Sequence, residues 1–147
     1  MTAPNPHPLF TRLVDQLGAA WVTPDTADAF LARPGAAALL FTGDPVRFPE
    51  ALDLAVVLPE LRAAQAEPFA IGVADRAGED ALARRWGVQR WPSIVFLRDG
   101  RYLATLSGMK DWDVFLAEVR EALAATPSRP PTVGIPVVGA GGGSACP

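Results

Sequence analysis

Whatever this chain does, it does without a pair of thiols. Its one cysteine, Cys146, and its one histidine, His7, stand near opposite ends of the 147 residues, so they can assemble neither an internal disulfide nor a structural zinc site. Cys146 sits in a Gly-rich stretch that offers nothing to activate it, which predicts ordinary thiol reactivity. Gly139, Gly141, Gly142 and Gly143 superficially resemble a nucleotide-binding loop, but such a loop needs a strand before it and a helix after it, and the sequence supplies neither. What remains is a set of carboxylates and one aromatic-proline pair. Asp44, Glu50, Asp53 and Glu60 are interleaved with Leu52, Leu54, Val56, Val57 and Leu58. Acids near helix starts are most often solvated caps, so any binding role for these four must be weighed against that plainer one. Trp91 precedes Pro92, an X-Pro bond of the kind that adopts cis and turns the preceding backbone outward; the plainer alternative is that Pro92 only shapes the chain and Trp91 packs. Arg84 and Arg85 read as an exposed helix face, and His7, ahead of the first element, is expected in solvent.

Composition narrows the class of partner. Half of the residues are hydrophobic, enough for one continuous core in a chain of this length. Thirteen basic and sixteen acidic residues leave a net charge of −3, too little positive field to hold a phosphate backbone, so nucleic acid is not expected as a partner. The start, MTAPNPHPLF, lacks the basic segment and apolar run of a secretory signal, and no apolar stretch approaches the ~20 residues that cross a bilayer. The cytoplasm is therefore the expected location, without membrane insertion or a cofactor.

The elements that must position these residues can be placed from apolar period and punctuation. A helix is expected over Pro8 to Gly18, a strand near Trp21, and a helix over Pro24 to Ala32 capped by Thr23 and stopped by Pro34-Gly35. Ala36 to Thr42, apolar on both faces, predicts a central strand covered on both sides. Gly43, Asp44 and Pro45 break it. A helix over Ala51 to Ala64 follows, kinked at Pro59, and then a strand over Phe69 to Ala74. Glu79 to Trp86 predicts a helix ended by Gly87. Ser93 to Leu97 and Tyr102 to Ser107 predict a hairpin turned by Asp99-Gly100. Asp111 is expected to cap a last helix with Trp112, Phe115 or Leu116, Val119 and Leu123 at helical spacing. From Thr126 the sequence becomes Pro- and Gly-rich, which divides the chain into a domain over 1–125 and a flexible tail over 126–147.

The stretch from Phe69 to Gly108 resembles the second half of a thioredoxin, in which a strand ends in Asp, a helix ends in an aromatic and Gly, a cis-proline opens a strand, and an Asp-Gly hairpin follows. Here these parts are Asp75, Trp86-Gly87, Pro92 and Asp99-Gly100. The resemblance covers Trp21 to Leu123. It implies an α/β fold of three layers, α/β/α, with a mixed central sheet, to which this chain adds an N-terminal helix. It fails where thioredoxin chemistry would sit. Counting from Phe41 places the two cysteine positions near Val46 and Pro49; counting back from Pro59 places them near Ala51 and Leu54. Neither register holds a thiol, and Leu40 stands nearest the place of the family's buried acid. A dithiol mechanism needs one thiolate to attack and another to resolve, so the fold is expected to serve binding rather than catalysis.

A narrower similarity rests on the N-terminal helix before Trp21-Val22-Thr23, the strand ending in Thr42-Gly43-Asp44-Pro45, the segment Arg47-x-Pro49-Glu50, and Trp91-Pro92 to Gly108. In these the chain is similar to the HupG/HyaE family of accessory proteins for membrane-bound nickel-iron hydrogenases. The similarity implies a non-enzymatic, cytoplasmic chaperone that holds the hydrogenase small-subunit precursor by its twin-arginine signal before export, with other hydrogenase accessory proteins as further partners. The thioredoxin resemblance implies that Trp91 and Pro92 pair with an extended client segment by strand addition, and Asp44, Glu50, Asp53 and Glu60 are the candidates to meet the signal's arginines. The alternative reading is a generic peptide-binding domain of redox-inactive, thioredoxin-like type.

Overall fold

In the computed structural model, which describes residues 6–131, the six residues Ala36–Phe41 are all buried and form the middle strand of a five-stranded sheet. The strands are β1 (Ala20–Val22), β2 (Ala36–Phe41), β3 (Ala70–Ala74), β4 (Ser93–Arg98) and β5 (Arg101–Ser107), in the spatial order β1-β3-β2-β4-β5. β1, β3 and β2 run parallel and β4 is antiparallel to both its neighbours, β2 and β5, so the sheet is mixed as the thioredoxin resemblance implies. Among the described residues five α-helices accompany them: α1 (Pro8–Leu17), α2 (Ala27–Leu31), α3 (Glu50–Ala63), α4 (Glu79–Trp86) and α5 (Trp112–Ala124).

Strand alternation divides the core in two. Ala36, Ala38 and Leu40 of β2, with Ile94 and Phe96 of β4, face α1, α3 and α5. Ala37, Leu39 and Phe41, with Val95 and Leu97, face α2 and α4. The three layers follow directly. Helix α3 is apolar around most of its circumference because it is covered twice, by the sheet through Leu54 and Leu58 and by α1, whose Leu9, Leu13, Val14 and Leu17 belong to the same cluster. Arg62 reinforces that docking by donating to the Leu17 carbonyl at the end of α1.

Several boundaries differ from expectation for local reasons. Helix α2 begins at Ala27 rather than Pro24, because Thr23 and Thr26 exchange backbone and hydroxyl hydrogen bonds and close a turn first. His7 is not free in solvent: its Nδ1 accepts the Leu9 N–H at 3.0 Å and its ring packs against Phe10, making it the N-cap of α1. Asp111 occupies the N-cap position of α5, but its side chain makes no capping hydrogen bond. The hairpin turn is as expected, with Asp99 and Gly100 both at positive φ. Past Ala125, residues 126–131 form no helix or strand but stay against the domain, where Ser128 donates to the Tyr102 carbonyl at 2.9 Å and Pro131 lies over Gly87. The rest of the expected tail, with its glycines and Cys146, lies outside the described residues.

Candidate peptide-binding end of the sheet

Topology gathers the chain segments of interest at one end. With β1, β2 and β3 parallel, β4 reversed and β5 running back in the direction of β2, the last residues of β2 and β5 and the first of β4 coincide: Phe41 stands opposite Ser93, and Ser93 opposite Ser107. The connections Thr42–Pro49, Asp75–Gly78, Trp91–Pro92 and Gly108–Asp111 therefore crowd together, along with the N-termini of α3, α4 and α5. The ends of parallel strands beside a reversal in strand order are where open α/β sheets bind ligands.

At the centre of this end two aromatic rings close over a glycine. Phe48, from the β2-α3 connection, and Trp91 have ring centroids 6.4 Å apart and planes inclined by 32°. Both press on Gly43: a Cβ there would lie 2.7 Å from Phe48 Cδ2 and 2.9 Å from Trp91 Cδ1, and Gly43 has φ +64°. A residue with a side chain meets two barriers at this position, the steric contact and the left-handed backbone. Arg47 stacks its guanidinium over Phe48, 5.2 Å from the ring centroid. Val46, beside it, is 87% exposed, the most open of the large apolar side chains among the described residues.

Close to Gly43 lies a buried carboxylate that sequence reasoning missed. Glu79, at the start of α4, is 1% exposed; its Oε2 accepts the Gly43 N–H at 3.1 Å and its Oε1 pairs with Arg76 Nη1 at 2.9 Å. In sequence it looks like any acid in a first helical turn, next to Asp80, and nothing local marks it as buried. Leu40, nearest the place of the thioredoxin acid, is fully buried.

The expected site residues separate into two groups. The Trp91-Pro92 bond is cis. Pro92 is buried and its carbonyl accepts the Gly108 N–H, while among the described residues the peptide groups of Trp91 have no backbone partner outside its own segment. Glu50, the first residue of α3, reaches the β5-α5 connection, where its Oε1 accepts the Met109 N–H at 3.3 Å. Asp44 sits beside Gly43 and accepts the Val46 N–H at 2.9 Å. Trp91, Pro92, Asp44 and Glu50 thus share one end of the sheet. Asp53 is on the first turn of α3, at the edge of this group. Glu60 is exposed ten residues beyond Glu50, roughly 15 Å along the helix axis, and the fold does not bring it to the others. An open depression between Arg33, Gly35, Glu67 and Pro68 lies at the opposite end of the sheet.

This end offers rings, free backbone and carboxylates, and its hydroxyls are engaged: Thr42 donates to the Gly43 carbonyl, and Ser93 bonds with Ser107 and the Arg90 carbonyl. Ala51 and Leu54, one of the two registers for the thioredoxin cysteines, are fully buried in α3. The arrangement suits holding an extended chain.

Comparison with known proteins sets these features in a wider context. The family model described as Hydrogenase-1 expression protein HyaE matches residues 9–115. The hydrogenase expression/formation protein HoxO of Cupriavidus necator is 54% identical over 141 residues, spanning 95% of this chain and 88% of the relative. HupG of Rhodobacter capsulatus, another hydrogenase expression/formation protein, is 38% identical over 122 residues, spanning 81% of this chain and 87% of its own. A thioredoxin variant from Halobacterium salinarum matches with a TM-score of 0.58 over 74% of this chain and 95% of its own; at 22% identity that likeness carries the fold alone.

Proposed function

This chain belongs to the HyaE family of hydrogenase expression proteins, and from that premise we propose that it is a non-catalytic accessory protein in maturation of a membrane-bound nickel-iron hydrogenase. It acts in the cytoplasm and holds the small-subunit precursor by its twin-arginine signal region before export. The observation that carries the reading is the end of the sheet where Trp91-Pro92, Phe48 and Glu50 meet, in a chain whose one cysteine excludes a dithiol cycle. The apolar part of the signal lies extended against Trp91 and Phe48, with backbone pairing at Trp91. Asp44 and Glu50, each using one oxygen on a main-chain N–H, that of Val46 and that of Met109, keep acceptor capacity for the guanidinium pair, and Asp53 borders them.

The test is calorimetry with a synthetic twin-arginine signal peptide. Replacing both arginines by lysine weakens binding modestly, because lysine keeps the charge and loses the planar fork; replacing them by glutamine weakens it more. On the protein, Asp44→Asn and Glu50→Gln lower both affinity and its salt dependence, Trp91→Ala lowers affinity with little change in salt dependence, and Glu60→Gln changes neither. Equal affinity for an unrelated apolar peptide would leave a generic peptide-binding domain in place of a signal-reading one.

A further inference from the structure

Among the described residues, one buried side-chain polar atom has no hydrogen-bond partner: the indole Nε1 of Trp91. An indole N–H is a donor only, and leaving one buried without an acceptor is unfavourable. Such a group in a native fold calls for an explanation. The surroundings supply one. Trp91 lies in the connection between α4 and β4, on a stretch without helix or strand; its ring rests on Gly43 and beside Phe48, both of which belong to a separate connection.

We propose that Trp91 is a peptide-binding residue whose ring turns out from over Gly43 when an extended chain arrives, and whose Nε1–H then donates to a main-chain carbonyl of that chain. The inference rests on the reading above and deepens it: the recognised group is the peptide backbone of the apolar stretch, which explains how one site accepts apolar segments of varied side chains. The donor is unmet while the ring is closed, and the arriving chain supplies the acceptor that the closed site lacks. This is the differential interaction that a ligand-driven change requires. Gly43, held in place by Glu79, leaves the space that lets the ring lie closed when no chain is bound.

Trp91→Phe separates this role from packing, since it keeps a ring and removes the donor. The expected result is an unchanged or higher urea midpoint for the free protein together with about five- to tenfold weaker binding of the synthetic signal peptide, the loss of one hydrogen bond. In the wild-type protein labelled with ¹⁵N, the Trp91 indole resonance, assigned by its absence in Trp91→Phe, shifts downfield on adding the peptide. If the peptide binds by calorimetry while that resonance stays in place, or if Trp91→Phe binds with wild-type affinity, the proposal is overturned and the signal-binding reading stands. If the peptide does not bind at all, both fall.

Discussion

Gly43 and Glu79 show how single residues fix the shape of the candidate site. At Gly43 a methyl group meets Phe48 and Trp91 at under 3 Å and must adopt φ +64°, so Gly43→Ala is expected to cost roughly 1–3 kcal/mol from the backbone alone, with the ring contacts adding to it. Urea unfolding measures that loss; an unchanged midpoint would mean that the two rings do not rest where the structure has them. Glu79→Ala leaves the Gly43 N–H buried without an acceptor, a loss of about 1–3 kcal/mol, whereas Glu79→Gln keeps an acceptor oxygen and loses less. Equal destabilisation by the two variants would assign the loss to the charge pairing with Arg76 instead. At this scale the sequence was only partly legible. Trp91-Pro92 could be picked out because an X-Pro pair carries its own backbone signal. Gly43, Phe48 and Glu79 could not, since their importance arises from contacts between connections distant in the chain, such as the 36 residues that separate Gly43 from Glu79, and no local period encodes those.

Among the elements, Arg98 at the end of β4 ties three parts of the fold together. Its guanidinium forms a two-pronged pair with Glu67, at 2.7 and 2.8 Å, ahead of β3, and donates to the Leu123 carbonyl near the end of α5 at 2.8 Å. The hydrogen bond from Arg98 holds the Glu67 carboxyl below its ordinary value of 4.5. A carboxyl lowered by folding contributes stability that is present above its unfolded value and is lost as pH falls through its folded one. The pair is partly exposed, so about 1 kcal/mol or less is involved. Arg98→Met is therefore expected to lower stability at neutral pH and to flatten its fall below pH 4.5; a parallel fall in both proteins would separate Glu67 from that loss. Element identity was the most legible part of the chain. The buried run Ala36–Phe41, the Asp99-Gly100 turn and the Gly87 stop each carry a physical signal strong enough to survive tertiary context. Element ends were less legible where side chains compete for backbone groups, as Thr23 and Thr26 do before α2. The docking of residues 126–131 was not legible either, because one hydrogen bond from Ser128 and the contact of Pro131 with Gly87 leave no mark on composition.

For the molecule as a whole, the fold is that of thioredoxin-like proteins and the thiol pair is gone, since Cys146 is the one cysteine in the chain. Insulin reduction with a dithiol donor is accordingly expected to run at the uncatalysed rate; catalysis that disappears in Cys146→Ser would contradict this. Family membership and the Phe48-Trp91 end of the sheet together support a protein that binds, and its proposed ligand is the signal region of a hydrogenase small-subunit precursor. Calorimetry of the intact protein against that precursor and against the same subunit without its signal, side by side in one buffer, decides the matter. The precursor is expected to bind and the mature form to bind at least tenfold more weakly or undetectably, a difference on the order of 1.4 kcal/mol or more that signal contacts must supply. Equal affinity for the two forms would contradict signal recognition.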